Sequence, residues 1–83
     1  MHKINIKNAR YHNDYQIFLE FDDNKTGIID LREMLFDKDP GVFEKLRDKE
    51  KFQNFTIKSH TLAWDDDLDL APEFLYDLLE FDN

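Results

Sequence analysis

The chain has 83 residues, and its 19 acidic against 11 basic residues give a net charge of −8. This length fits a single small domain over residues 1–83. Because the chain has no cysteine, a disulfide framework, a thiolate metal site and thiol catalysis are excluded.

The charge and the apolar pattern also bear on partners and location. No apolar run approaches the roughly 18 residues that a membrane span needs. We therefore expect a cytoplasmic protein with no membrane partner. Neutralising phosphates requires a basic face, so the acidic balance argues against nucleic-acid binding.

The first 30 residues predict a strand, a connection and a β-hairpin. Residues 3–7 alternate polar and apolar, as a half-buried strand does, and residues 8–14 follow as a connection. Residues 15–21 alternate again, and residues 26–30 form the third strand. The inward residues of the second strand are Tyr15, Ile17, Leu19 and Phe21.

The turn of this hairpin sets the predicted register. A two-residue turn at Asp23-Asn24 would pair Leu19 with Ile28. Ile28 would then face the core, and Gly27 would lie on the other side of the sheet.

Two short helices follow. Asp30 is a suitable N-cap and Glu33 completes a variant of the capping box, so the first helix is expected to begin after Asp30. Pro40 and Gly41 open the second helix, and Phe52 is expected to return the chain to the core after a charged segment. The predicted inward residues are Leu31, Met34 and Leu35 in the first helix and Val42, Phe43 and Leu46 in the second.

The remaining chain predicts a second hairpin and a terminal helix. Residues 55–58 and 61–64 are β-prone and are separated by Ser59-His60. A helix begins near Pro72, with an apolar stripe at Phe74, Leu75, Leu78 and Leu79. The predicted class is α+β, a small antiparallel sheet built from β-hairpins with two or three short helices packed on it.

The net charge is concentrated in the last segment. Residues 61–83 hold eight acids and no base, whereas residues 1–60 hold eleven of each. Trp64 lies in this segment and is either a core residue or an exposed binding hot spot. The hypothetical partner-binding residues are Trp64, Asp65, Asp66, Asp67, Asp69, Glu73, Tyr76, Asp77 and Glu80.

The sequence gives little support for catalysis or for metal binding. Residues 65–69 have the spacing that begins a calcium loop, but Leu70 and Tyr76 stand where a glycine and a bidentate glutamate are required. The three histidines are dispersed, Ser59 is the only serine, and no glycine-rich loop is present. We therefore predict no metal, no cofactor and no enzymatic activity.

The order of these signals resembles the family of small, mostly bacterial proteins called domain of unknown function 2442. The matching segments are residues 19–23 (LEFDD) with 27–31 (GIIDL), 42–43 (VF) with 46–48 (LRD), 61–64 (TLAW) and 70–76 (LAPEFLY). The resemblance implies a compact α+β domain without an established biochemical activity. It also implies gene pairs suggestive of toxin and antitoxin in some members, and a glycine where this chain has Asn24.

The predicted function is a non-catalytic protein-binding module, antitoxin-like, with a basic protein partner. One alternative is a nucleic-acid-linked transcriptional regulator, which would have to use Lys3, Lys7 and Arg10. Another is a homo-oligomeric structural domain, since the aromatic richness is compatible with a homodimer.

Overall fold

The computed structural model describes residues 4–65 and 68–81, with the side chains of residues 65, 80 and 81 left out. Within these residues, six strands form two three-stranded antiparallel meanders, β1-β2-β3 and β4-β5-β6. The elements are β1 Ile6–Asn13, β2 Gln16–Phe21, β3 Thr26–Asp30, α1 Arg32–Leu35, a 3₁₀ helix Gly41–Arg47, α2 Lys49–Phe52, β4 Thr56–Lys58, β5 Thr61–Asp65, β6 Leu68–Leu70 and α3 Pro72–Phe81. The α+β class is confirmed.

The first strand extends further than predicted. Residues 8–13, expected to be a connection, pair with β2, and the chain turns at Asp14, whose φ is 47°. Only Ala9 and Tyr11 share the face of Leu19 and Ile17. The other face is open to solvent, so this part of β1 lacks the apolar alternation by which a strand is recognised.

The hairpin of β2 and β3 is confirmed, but its predicted register is wrong by one residue. Leu19 pairs with Gly27, not with Ile28. Asn24 has a left-handed φ of 72°, and the Phe21 amide donates to the Lys25 carbonyl at 2.9 Å, so the loop has three residues. A slip of one residue exchanges the two faces.

The consequence of this slip is visible in the burial of β3. Ile29 is fully buried, whereas Ile28, predicted inward, is 40 % exposed. Gly27 lies on the core side of the sheet, opposite Leu19. Gly27, which has no side chain, therefore faces the helices that cover this side of the sheet.

The short helices follow the predicted order with local corrections. α1 begins at Arg32 with Leu31 as its N-cap, one residue after the predicted N-cap Asp30, whose carboxylate nevertheless accepts from the Arg32 amide at 2.9 Å. Val42, predicted inward, is 68 % exposed, whereas Leu46 is buried. The charged segment before Phe52 is the helix α2, which Asp48 caps by accepting from the Glu50 amide.

The second hairpin is confirmed with its turn at Ser59 and His60, both of which have positive φ. Residues 68–70, for which the sequence predicted no strand, form β6, which pairs with β5. The Ile6 amide donates to the His60 carbonyl at 3.0 Å, which joins the two sheets. Both sheets and the helices contribute to one core, which includes Ile17, Leu19, Phe21, Ile29, Leu35, Phe52, Leu62 and Leu75.

Candidate protein-docking site

Close packing on β3 fixes the orientation of α3. Leu75 and Leu79 are buried. The Leu79 Cδ2 lies 2.6 Å from the position that a β-carbon on Gly27 would occupy. The helix therefore approaches the sheet at the residue that has no side chain, and the opposite side of α3 faces outward.

Tyr76 fastens α3 to the turn between β2 and β3. Its hydroxyl donates to Asp23 Oδ2 at 2.6 Å, and its ring meets the Phe21 ring edge-on at 5.0 Å. The Lys25 Nζ lies 5.0 Å from the centroid of the Tyr76 ring. Tyr76, a hypothetical partner residue, therefore has contacts within the fold that account for its position.

The same contact changes the ionisation of both groups. The Tyr76 hydrogen bond, aided by the Lys25 amide, holds the pKa of Asp23 below its usual value. The hydrogen bond to Asp23, together with partial burial, raises the pKa of Tyr76. The carboxylate and the neutral phenol are the forms that this contact favours.

The outer face of α3 combines two acids with an aromatic ring. Glu73 and Asp77 are exposed, and Phe74 is 41 % exposed. At about 100° of rotation per residue, these three side chains lie within one roughly 100° arc, with Asp77 between the other two. We call Glu73, Phe74 and Asp77 the α3 outer face.

Phe74 is the residue that sequence reasoning missed, since it was predicted to point inward. The buried arc of α3 centres on Leu75 and Leu79, and Phe74 projects well away from it. A stripe of four apolar residues at i, i+1, i+4 and i+5 is wider than the arc that close packing on Gly27 covers. The width of this stripe was the feature of the sequence that could have indicated that one of its residues lies outside the buried arc.

Trp64 belongs to the core. It is 8 % exposed, and its indole N–H donates to the Phe52 carbonyl at 2.7 Å. The Phe52 and Phe55 rings lie 6.0 and 6.4 Å from the Trp64 ring, centroid to centroid. The core interpretation is confirmed, and Trp64 offers little surface to a partner.

The other acidic candidates are placed only in part. Asp69 is exposed in β6, opposite Ala63. Asp65 ends β5, and Glu80 lies in α3, but neither side chain is described. Asp66 and Asp67 lie outside the described residues, so the calcium hypothesis for residues 65–69 lies largely outside them too. Among the residues described, no group of three or more His, Asp or Glu is arranged to hold a metal ion.

Two of the three basic residues of the nucleic-acid alternative, Lys7 and Arg10, have partners inside the fold. Lys7 Nζ lies 3.9 Å from Glu20 Oε2, and the Arg10 guanidinium lies 5.1 Å from the Phe18 centroid. Lys3 is outside the described part of the chain. The two described residues, Lys7 and Arg10, are therefore not free cations on β1.

Fold and site together define a small α+β domain with an exposed acidic helix face. The chain belongs to the family described as protein of unknown function (DUF2442), whose model matches residues 6–80. Neither the curated proteins nor the solved structures gave a match. In the described segments, no helix has the length and apolar character needed to cross a membrane.

Proposed function

We propose that this protein is a non-catalytic binding module that docks a small basic protein on the α3 outer face. The observation that supports the proposal most directly is the exposure of Phe74 beside the two carboxylates of Glu73 and Asp77. A large aromatic side chain surrounded by polar groups is a common anchor in protein interfaces. Phe74 is already exposed in the folded chain, so a partner can reach it without a movement of another element.

Charge supports a basic partner. All of the net charge of −8 belongs to residues 61–83, and the α3 outer face lies in that segment. Attraction between opposite charges mainly accelerates association and weakens as salt increases. Phe74 would then contribute the salt-independent part of the affinity.

The residue inventory supports a role without catalysis. The sequence has no cysteine, and its single serine, Ser59, lies in a hairpin turn with a φ of 54°. The gene pairs implied by the family resemblance make the neighbouring gene product the first candidate partner, in an antitoxin-like arrangement.

The test is the affinity of the purified chain for that gene product, measured by fluorescence anisotropy at low and physiological salt. We expect Phe74→Ala to weaken binding at least about tenfold, as loss of a hot-spot residue does. Glu73→Lys combined with Asp77→Lys should weaken binding at low salt and reduce its salt dependence.

Two matched controls separate this surface from general effects. Glu33→Lys combined with Glu44→Lys introduces the same change of charge on α1 and the 3₁₀ helix, and Val42→Ala truncates the most exposed large apolar side chain among the described residues. Both should leave the affinity within about twofold of the wild type, as for residues outside an interface. Absence of a complex at low salt, or equal losses in the control variants, contradicts the proposal.

A further inference from the structure

β3 presents an open main-chain edge. The order β1-β2-β3 leaves one side of β3 without a neighbouring strand. The Phe21 amide donates to the Lys25 carbonyl and the Leu31 amide to the Tyr15 carbonyl, so residues 25, 27, 29 and 31 turn their main-chain groups toward β2. Because hydrogen-bonding direction alternates along a strand, the N–H and C=O groups of Thr26, Ile28 and Asp30 point away from the sheet.

The other edges in the described part of the chain have the protection that natural edges usually have. β1 has two register irregularities, and its first amide bonds to His60. β4 and β6 have three residues each, and β4 ends in a lysine. β3 has five residues in regular pairing, with no proline and no lysine. Such an edge is a template for pairing with another strand.

The outer face beside this edge has an apolar stripe. Arg10 pairs with Phe18, and Phe18 pairs with Ile28, so the three side chains form one row across the sheet. The Arg10 guanidinium covers the Phe18 ring, whereas Ile28 is 40 % exposed at the open end of the row. The inner face behind Ile28 is occupied by α3, because Leu79 packs on Gly27.

We propose that two copies of this chain associate through β3, antiparallel about a two-fold axis at Ile28, into a continuous six-stranded sheet. The two-fold axis makes Ile28 face its own copy, and it sets Thr26 opposite Asp30 of the second copy. This register uses the whole strand and forms about six main-chain hydrogen bonds.

Side-chain chemistry favours a second copy over an unrelated strand. Each Asp30 carboxylate meets a threonine hydroxyl. It already accepts from the Arg32 amide and from Gln16 Nε2, and lone pairs remain for the hydroxyl. Pairing Ile28 with itself joins the two apolar stripes into one, which ends at an Arg10 on each side. A register shifted toward the C-terminal end of β3 pairs fewer residues and brings the two Asp30 carboxylates together.

The size of this contact predicts its strength. A single edge pairing buries less area than a standard protein interface, so we expect a dissociation constant on the order of 10 µM. Sedimentation velocity from about 1 to about 300 µM should then show a monomer that converts to a dimer. A monomer throughout this range overturns the proposal.

Cysteine cross-linking tests the register, because the natural chain has no cysteine. In Ile28→Cys, the two Cα atoms would lie about 5.5 Å apart, within the range that a disulfide spans. Mild oxidation should give a covalent dimer much faster than for the control Val42→Cys, which places a thiol at the more exposed residue. A mixture of Thr26→Cys and Asp30→Cys chains should cross-link faster than either chain alone. Equal rates for Ile28→Cys and Val42→Cys contradict the two-fold axis.

Two further variants separate dimerisation from folding. Ile28→Pro removes the outward N–H without removing a hydrogen bond to β2, so the variant should be monomeric with an unchanged circular dichroism spectrum. Ile28→Lys keeps the main chain intact and opposes two like charges, which should weaken the dimer at least about tenfold. An undiminished dimer in Ile28→Lys contradicts the proposal, and this outcome is independent of any partner at α3.

Discussion

Leu79 packs against Gly27 with its Cδ2 2.6 Å from the place where a β-carbon would stand. Leu79 is 3 % exposed, so its side chain is enclosed by the core, and shifting it away from a β-carbon would disturb its other core contacts. The absence of a side chain at Gly27 is therefore what allows α3 to lie close to β3.

This contact predicts the effect of adding one methyl group. Gly27→Ala should lower the free energy of unfolding by about 1–3 kcal/mol, as overpacking of a core does. Urea unfolding followed by Trp64 fluorescence measures the change. In the double variant with Leu79→Ala, the loss should be smaller than the sum of the single losses, because the methyl group then has space. Full additivity contradicts the close approach.

The contact between Tyr76 and Asp23 predicts a pH-dependent stability. Because the folded-state pKa of Asp23 is lowered, its contribution is present above the ordinary aspartate pKa and is lost as pH falls through the lowered value. Because the pKa of Tyr76 is raised, the contact persists below the ordinary tyrosine pKa and is lost as pH rises through the raised value. Wild type should therefore melt at a higher temperature than Tyr76→Phe at neutral pH.

The pH profile itself is the control for this prediction. The difference in melting temperature between wild type and Tyr76→Phe should vanish in strong acid, where Asp23 is protonated. A difference that is constant from neutral pH down to pH 2 contradicts the contact. Tyr11→Phe removes a hydroxyl that donates to the Asp14 carbonyl, a group that does not titrate, and should show no such trend.

Trp64 and Phe74 should separate stability from binding. Trp64→Phe leaves the Phe52 carbonyl without the indole donor and should lower the free energy of unfolding by about 1–3 kcal/mol, without changing the affinity of the folded fraction for a partner. Phe74→Ala should change stability by less than about 1 kcal/mol. Denaturant titration, paired with the binding assay, measures both quantities. The reverse pattern would place the anchor at Trp64.

Arg47 links the 3₁₀ helix to the end of α1 through hydrogen bonds to main-chain carbonyls. Its Nε donates to the Leu35 carbonyl at 2.6 Å, its Nη2 donates to the Asp37 carbonyl at 3.2 Å, and its guanidinium lies 5.2 Å from the Phe36 centroid. Arg47→Met should therefore lower the free energy of unfolding by about 1–3 kcal/mol.

Lysine has a single donor group and should restore only part of this loss in Arg47→Lys. Arg32→Met serves as the control, since Arg32 stacks on the Tyr15 and Phe36 rings without this carbonyl contact. It should cost less than about 1 kcal/mol. Equal effects at the two positions contradict a stabilising role for the Arg47 hydrogen bonds to the Leu35 and Asp37 carbonyls.

The alternation of polar and apolar residues, together with the turn residues, predicted the positions of the strands better than the register between them. The inward face of β2 and the turn at Ser59 and His60 follow directly from residue type. The register of β3 depends on the left-handed Asn24, which adds one residue to the loop, and a two-residue turn pattern does not reveal it. Its consequence, the close approach of Leu79 to Gly27, is a property of packing.

The proposed docking face was predicted only at the level of the segment. The charge pattern favoured the last 23 residues, and in the structure Phe74 is exposed whereas Trp64 is buried. Trp64 is buried because its indole finds a main-chain acceptor within the core. Phe74 is exposed because the buried arc of α3 is narrow. Residue type alone does not distinguish these environments.

The two meanders also bear on how the chain reaches its folded state. Within the described residues, each strand pairs only with strands adjacent in sequence, so each sheet can close without a long loop. Such local connectivity gives a low contact order, which favours rapid folding for a domain of this size. We therefore expect each sheet to form before the two dock on each other, where the Ile6 amide donates to the His60 carbonyl.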